Sequence, residues 1–315
     1  MQRFDWLASE SAPKGFPMEV VSGHFYDKKG GSLYIPDGKT IHHGWGENVS
    51  VHIVGDDKKH LPERFDILCF SYAEDVFYGG SFELPYDKIA QYFKDGYYSP
   101  NAREDVTFRE IIAGVAPGGH VSVWISGINK QIEVFSGQMD KVDFPWKDFL
   151  DNPNISREQY VQTELKESLN EQELNAIKNN EIPFGIWKEY SKRYPWKPYV
   201  TGEKSEELID WMKFYNGEQN YFSVKHGNDW KNETLPVPTS FIIRWYTDKG
   251  KEIKATFHFD ETEILKSFNE MAQQTDKPFV FHIDIKKDDN RVLYTTELVV
   301  DDITIPIKNT QVTHR

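Results

Sequence analysis

Residues 61–96 read LPERFDILCFSYAEDVFYGGSFELPYDKIAQYFKDG, and residues 237–271 read VPTSFIIRWYTDKGKEIKATFHFDETEILKSFNEM. Both stretches contain, in the same order, a proline, an apolar strand, a second strand and an amphipathic helix. With one residue dropped in the second hairpin, Pro62, Phe65, Ile67, Phe70, Phe82, Ile89 and Phe93 correspond to Pro238, Phe241, Ile243, Tyr246, Phe257, Ile264 and Phe268. This indicates an internal duplication and predicts an α+β fold, in which two related units of antiparallel sheet each carry a helix on one face.

Outside these stretches, strand patterns precede a helical segment. MEVVSGHFY, GSLYI and VSVHIVG, within residues 16–54, are β-prone pieces separated by glycine and proline turns, and they predict a meander. Further strands flank the turn APGG at residues 116–119. Ser156 and Gln159 form a capping-box pattern, which predicts a helical segment within residues 144–196.

These patterns divide the chain into three regions. The predicted first domain spans residues 1–196, a connector spans 197–236, and a smaller second β-β-α-β domain spans 237–315. The connector is polar and rich in proline and glycine. Within it, SEELIDWMKFY, residues 205–215, predicts one amphipathic helix.

The composition is strongly acidic. There are 50 Asp and Glu residues against 37 Lys and Arg, a net charge of −13 over 315 residues. This charge disfavours nucleic acid and favours a basic protein partner, although acidity also serves solubility alone. No apolar run is long enough to span a membrane. The single cysteine, Cys69, has no partner for a disulfide within the chain, which fits both the cytosol and a Gram-negative periplasm.

Catalytic signatures are missing from the sequence. It has no GxSxG or SxxK motif, and Cys69 lies in the middle of an apolar strand pattern. A Ser-His-Asp triad assembled from distant residues leaves no local signal. We therefore assign no catalytic residue.

The early histidines provide an alternative ligand site. His42 and His43 precede Trp45 and Glu47, but they lack the helical histidine spacing or paired cysteines of zinc sites. Adjacent residues in a strand also point to opposite faces. We predict no metal and no cofactor, and we keep His42, His43 and Glu47 as candidate lining of a ligand cleft between the two units.

Aromatic residues provide the candidates for partner binding, since Trp and Tyr dominate interface hot spots. Trp187 is expected in the core. Trp196 and Tyr199 follow it in a proline-rich segment and are expected at the surface. The predicted partner-binding residues are Trp45, Asp56, Asp57, Trp196 and Tyr199.

Seven segments are notable for their fixed order: APKGFP (12–17), GSLYIP (31–36), GWG (44–46), LPYDKI (84–89), GVAPGGHVSVW (114–124), IPFGIW (182–187) and YPW (194–196). They resemble a bacterial family catalogued as a domain of unknown function (DUF2931-like), over about residues 4–199. Many of its members are assigned as lipoproteins. The resemblance implies a periplasmic protein with a lipid anchor, with Met1 standing in place of the lipidated cysteine, and it leaves a cytoplasmic location open.

Some members of this family are encoded beside secreted lipase-like toxins, which implies an immunity role. An immunity protein needs a stable scaffold, a charged face and aromatic anchors, but no catalytic residues. We therefore expect a non-enzymatic envelope module that binds a protein, which is a secreted toxin if the immunity role holds. The alternatives are an envelope enzyme or carbohydrate-binding protein with a cleft between the units, and self-association through Trp196 and Tyr199.

Overall fold

The computed structural model describes residues 2–150, 152, 154–202, 209–221, 234–246, 252–288 and 291–314. The chain divides into two compact units, Met1–Glu189 and Tyr190–Arg315. Most of the regular structure among the described residues is β-strand, combined with shorter stretches of helix. This confirms the predicted α+β class.

Unit 1 contains two larger sheets. Its strands are β1 (Leu7–Ser11), β2 (Met18–Asp27), β3 (Ser32–Tyr34), β4 (Thr40–Ile41), β5 (Pro62–Ser71), β6 (Val76–Glu83), β7 (Tyr97–Ser99), β8 (Glu104–Val106), β9 (Glu110–Ala116), β10 (His120–Gly127), β11 (Lys130–Gln138) and β12 (Asp140–Val142). Its helices are α1 (Tyr86–Asp95), α2 (Trp146–Phe149), α3 (Arg157–Ser168), α4 (Glu171–Lys178) and α5 (Ile186–Tyr190). Strands β1, β9, β10 and β11 lie side by side, and β12, β6, β5, β2 and β3 form the second sheet, with β4 paired to β2.

The core of unit 1 lies between these sheets. Val121 and Val123 of β10 and Phe65 of β5 are fully buried there. Helix α1 adds Ile89 and Phe93 to this core, and Gly96 ends the helix with a φ of 61°. The predicted hairpin and helix of the first stretch are therefore confirmed.

Cys69 belongs to the same core. It is a free, fully buried cysteine in β5, and its Sγ lies 4.0 Å from Sδ of Met139. Burial raises the pKa of its thiol far above the usual range. The side chain therefore acts as a small apolar residue.

The predicted meander is only partly correct. MEVVSGHFY and GSLYI form β2 and β3, but residues 50–54 form no strand. Ile53 is 89% exposed, and Val49 donates its N–H to the carbonyl of Glu10 at 3.2 Å. Val51 and Ile53 of VSVHIVG have no sheet face to cover, which is why the strand prediction was wrong.

The helical segment of unit 1 is confirmed. Ser156 and Gln159 form the predicted capping box at the start of α3, and Asn170 and Glu173 form a second one at the start of α4. Each box satisfies two backbone N–H groups locally, so the signal in the sequence is independent of the packing around the helix.

Unit 2 is built from two sheets and one long helix. Its strands are β13 (Trp196–Gly202), β14 (Ile209–Phe214), β15 (Gln219–Asn220), β16 (Pro238–Tyr246), β17 (Glu252–Phe259), β18 (Phe279–Asp288), β19 (Arg291–Val300), β20 (Ile303–Ile307) and β21 (Thr310–His314), and its helix is α6 (Glu261–Gln274). Strands β15, β14, β16, β17 and β21 lie side by side, and β13, β18, β19 and β20 form the other sheet. Helix α6 contributes Ile264, Phe268 and Met271 to the core. No helix in the described parts of the chain is long and apolar enough to cross a membrane.

The helix predicted in the connector is wrong over Ile209–Phe214, which form strand β14. Met212 and Phe214 are buried while Lys213 between them is exposed, a period-two pattern stabilised by pairing with β16. Residues 203–208 of the predicted helix lie outside the described residues. The long-range pairing overrides the local helical preference of this segment.

Both units contain the order strand, strand, helix, as β5-β6-α1 and β16-β17-α6. Phe65 pairs with Phe82 across the first hairpin, and Phe241 pairs with Phe257 across the second. These are corresponding residues of the two aligned stretches, so they occupy equivalent positions in their hairpins.

Candidate functional site

Four aromatic residues from separate segments meet on the outer face of β9 and β10. Trp45 lies edge-on to Trp124, with ring centroids 4.9 Å apart, and 6.5 Å from Trp187, which in turn lies 5.8 Å from Phe16. A Cβ at Gly114 would overlap the Trp124 ring and lie 3.1 Å from Trp45. We call Phe16, Trp45, Trp124 and Trp187 the aromatic cluster. Its residues come from APKGFP, GWG, GVAPGGHVSVW and IPFGIW, so four of the family-like segments meet in one structural centre.

Beside the aromatic cluster, three buried polar residues form a chain of contacts. Ser122 donates to Oε1 of Glu133 at 2.7 Å, and its Oγ lies 3.3 Å from Nε2 of His120. Burial, and secondarily the charge of Lys188, lowers the pKa of His120 to about 4. A serine nucleophile must give its proton to a competent base, whereas Ser122 gives its proton to a carboxylate beside a weakly basic imidazole. The hydroxyl of Ser122 is therefore hydrogen-bonded to a carboxylate and lies beside a weakly basic imidazole.

The APGG turn is held from several sides. Glu74 accepts the N–H of Gly118 at 2.9 Å and the hydroxyl proton of Tyr78 at 2.7 Å. Gln138 donates to the carbonyl of Gly118 at 2.6 Å. Gly118 has a φ of 76°, and a Cβ there would lie 3.1 Å from the ring of Phe184, which is 54% exposed. The hydrogen bonds of Glu74 and Gln138 therefore hold the turn in place, and the exposed ring of Phe184 packs against it.

His42, His43 and Glu47 lie on the loop that carries Trp45. The two imidazole rings are 5.7 Å apart, with His42 half-buried and His43 exposed. Burial, with a smaller effect of His43, lowers the pKa of His42. No group of three or more His, Cys, Asp or Glu side chains in the described ranges is arranged to hold a metal ion. Trp45 itself turns into the aromatic cluster, where its Nε1 is buried and has no hydrogen-bond partner among the described residues.

Asp56 and Asp57 lie on a loop that we call the Ile53 loop, residues 49–59. Both carboxylates are exposed, and Asp56 forms an ion pair with Arg3 at 3.2 Å. At the tip of this loop Ile53 is 89% exposed and Val51 is 40% exposed. The two acids therefore lie beside two apolar side chains that the fold itself does not bury.

The base of the Ile53 loop is fixed. Lys59 and Phe4 exchange two backbone hydrogen bonds of 2.8 Å, and the Tyr34 hydroxyl lies 2.7 Å from Nδ1 of His52. Val49 and Val54 pack against the core of unit 1. The loop therefore presents its tip from an ordered base.

Trp196 and Tyr199 have opposite environments. Trp196 is 3% exposed, which contradicts its expected surface position, whereas Tyr199 is 53% exposed. The indole N–H of Trp196 donates to the carbonyls of Leu235 and Pro236 at 3.2 and 3.1 Å. Proline suggested a loop, but Pro198 lies within β13, at the end of the described order of its sheet, where a missing N–H is tolerated. Trp196 is a core residue of unit 2.

Sequence reasoning missed the His120–Ser122–Glu133 contacts, Phe184 and Ile53. The alternation in HVSVWIS was a usable signal, because it places His120, Ser122 and Trp124 on one face of β10. Phe184 and Ile53 had no such signal, since exposure of a single apolar residue depends on which elements pack around it.

One family model, described as "Protein of unknown function (DUF2931)", matches residues 1–185. No curated protein matches the chain, and no solved structure does. The matched range includes the aromatic residues Phe16, Trp45 and Trp124, the APGG turn and the Ile53 loop. The chain therefore belongs to the DUF2931 family of proteins of unknown function.

Proposed function

We propose that this chain is a non-enzymatic bacterial envelope protein that binds another protein, and that this partner is a secreted lipase-like toxin which it neutralises. The observation that carries the proposal is the Ile53 loop, where an isoleucine with 89% exposure lies beside two exposed acids. An isoleucine in water gains about 1.5–3 kcal/mol when a partner buries it. The loop therefore has the chemistry of an interface.

The charges indicate what kind of partner fits. Asp57 is exposed and Asp56 is engaged only at the surface by Arg3, in a chain with a net charge of −13. Complementary charge mainly speeds association and selects partners, while buried apolar contacts supply affinity. The matching surface is an apolar depression with a basic rim.

The ordered base of the loop also favours binding. The Phe4–Lys59 backbone pair and the Tyr34–His52 contact restrict the loop before it meets a partner. A restricted loop loses less conformational entropy on association, so more of the contact energy appears as affinity.

A matched pair of isoleucine variants tests this role. Ile53→Asp places a charge at the tip of the loop, and Ile128→Asp places the same charge at an isoleucine that is 47% exposed on the β10-β11 turn. The protein captured from an extract of the native organism is purified and titrated against each variant. We expect Ile53→Asp to weaken binding by about 30-fold or more, the loss typical of a hot-spot residue, and Ile128→Asp to bind as the wild type.

Neutralising the acids gives a separate readout. The double variant Asp56→Asn, Asp57→Asn is expected to slow association at low salt and to reduce its salt dependence, with little change in the dissociation rate. Equal binding by all variants contradicts the role of the loop. If no protein is captured at stoichiometric amounts, the binding function itself is wrong.

We also propose a periplasmic location with a lipid anchor on the full-length gene product. Support comes from the family resemblance alone. Labelling cells of the native organism with an alkyne fatty acid should mark the full-length product and place it in the membrane fraction. An unlabelled product in the soluble fraction contradicts the anchor.

The internal duplication is a further proposal. It is supported by the shared strand, strand, helix order and by the equivalent pairs Phe65–Phe82 and Phe241–Phe257. In a crystal structure, backbone superposition of β5-β6-α1 on β16-β17-α6 should bring these pairs together and place Ile89 on Ile264. A best superposition that shifts this register contradicts common origin.

A further inference from the structure

A pocket of about 210 Å³ lies at the base of the Ile53 loop, between the N-terminal segment, the β2-β3 hairpin and residues 55–62. Its volume exceeds the roughly 150 Å³ of an apolar cavity known to hold benzene. The space therefore admits a ring or short chain that carries one polar head.

The floor of the pocket is apolar. Trp6, Phe25 and Leu33 line it and are buried, and the Trp6 and Phe25 rings meet edge-on at 6.0 Å. The indole N–H of Trp6 is already used, since it donates to the carbonyl of His60 at 3.2 Å. The floor therefore offers contact area for an apolar body and leaves the polar contacts to the rim.

The rim carries more positive than negative charge. Arg3, Lys58 and Lys59 line it, against Asp27 and Asp56. Both carboxylates are occupied: Asp56 pairs with Arg3, and Asp27 accepts the backbone N–H groups of Lys29 and Gly31 at 2.6 and 3.1 Å.

Two polar groups at the pocket remain unpaired. The ammonium group of Lys58 is exposed and has no hydrogen-bond or ion-pair partner within the described ranges. His60 also lines the pocket, and its buried Nδ1 has no partner among the residues that the structure describes. A buried polar atom without a partner is costly, and a bound polar group offsets that cost.

We propose that this pocket binds a small amphipathic carboxylate, with its apolar body on Trp6, Phe25 and Leu33 and its carboxylate at Lys58. A positive rim over an apolar floor selects for a single negative charge on a compact hydrophobic body. Hydrogen bonds between ionised partners are roughly twice as strong as neutral ones, so the carboxylate is the part that the pocket distinguishes. The pocket shares Asp56 and Lys58 with the Ile53 loop, but binding of a small carboxylate does not depend on the protein partner proposed above.

Three isosteric probes test the charge preference: 3-phenylpropionate, neutral 3-phenylpropanamide and cationic 3-phenylpropylamine. Each is titrated into the ¹⁵N-labelled chain at low salt, without any protein partner, and the indole N–H signal of Trp6 is followed by NMR. We expect the carboxylate to shift this signal with an affinity about tenfold above that of the amide, and the amine to bind more weakly still.

Two lysine variants locate the charge. Lys58→Glu should weaken 3-phenylpropionate binding by about tenfold or more, whereas Lys166→Glu, at an exposed position on α3, should leave it unchanged. Both variants should give wild-type NMR spectra away from the substituted residue. The proposal is wrong if the carboxylate and the amide bind equally, if no probe shifts the Trp6 signal at millimolar concentration, or if Lys58→Glu binds as the wild type.

Discussion

Replacing Trp196 with alanine should destabilise unit 2 strongly, although this residue looked like a surface anchor in the sequence. Its ring is 3% exposed and lies 5.4 Å from Phe268 and 6.0 Å from Phe281 by ring centroids. Removing a buried tryptophan side chain typically costs about 3–5 kcal/mol in the free energy of unfolding. The carbonyl of Pro236 also loses its indole donor, whereas that of Leu235 keeps the N–H of Tyr194 at 2.8 Å.

The assay is equilibrium unfolding in urea, followed by far-UV circular dichroism. With an m-value of about 2 kcal/mol/M, the midpoint of the affected transition should fall by about 1.5–2.5 M. Trp196→Phe keeps most of the ring and should cost less, about 1–3 kcal/mol, mainly for the unpaired carbonyl of Pro236 and the lost volume. The comparison separates packing from hydrogen bonding.

Tyr199→Ala is the matched control, three residues along β13, because that side chain is 53% exposed. It should change the free energy of unfolding by only about 0.5 kcal/mol. If Trp196→Ala also costs less than about 1 kcal/mol, the residue behaves as a surface side chain, and the assignment of Trp196 to the core is refuted.

Two further predictions concern acidic residues of unit 1. Burial raises the pKa of Glu19 above its ordinary value of 4.5. The hydrogen bond from Tyr72 opposes this rise, and the charges of Glu164 and Asp37 add to it. The contribution of Glu19 to stability is therefore present below about pH 4.5 and is lost as the pH rises through the folded pKa. In urea melts across this range, Glu19→Gln should gain stability relative to the wild type as the pH increases, and a difference that does not change with pH would contradict the assignment. Glu74→Ala leaves the Gly118 N–H and the Tyr78 hydroxyl without their acceptor and should cost about 1–3 kcal/mol in thermal or urea melts. Glu83→Ala, at an exposed position on β6, is the control and should cost about 0.5 kcal/mol. Equal losses of stability in the two variants would contradict the role of Glu74 in holding the APGG turn.

Elements with local signals could be predicted from the sequence. The capping box at Ser156 and the hairpins with phenylalanine pairs depend on bonds between near neighbours. All the residues that form such a local bond lie within a few positions of one another, so the sequence alone was enough to predict these elements.

Elements decided by distant partners could not be predicted in the same way. Ile209–Phe214 pair with β16 across a sequence separation that no local pattern reveals, and Trp196 is buried because α6 and β18 cover it. The strand prediction for the Ile53 loop was wrong for the opposite reason, because its β-prone residues have no strand to pair with. Propensity is a weak prior wherever tertiary pairing decides.

Some residues of the candidate site could likewise be predicted from the sequence, whereas others depend on contacts between distant segments. Asp56 and Asp57 were predicted from the sequence as partner-binding residues, but the apolar side chain near them is visible only through the exposure of Ile53. The aromatic cluster was present in the sequence as separate segments, and only the fold brings Phe16, Trp45, Trp124 and Trp187 together.

The buried Cys69 makes the chain convenient for site-directed labelling. Its thiol is fully enclosed and its pKa is raised, so maleimides and disulfide reagents should not reach it in the native state. It is the single cysteine of the sequence, so a cysteine introduced at position 53 would carry the fluorophore or spin label alone, without prior removal of a native thiol. Slow reaction of Cys69 itself would then report opening of the core of unit 1, in the same sample that reports the environment of the loop.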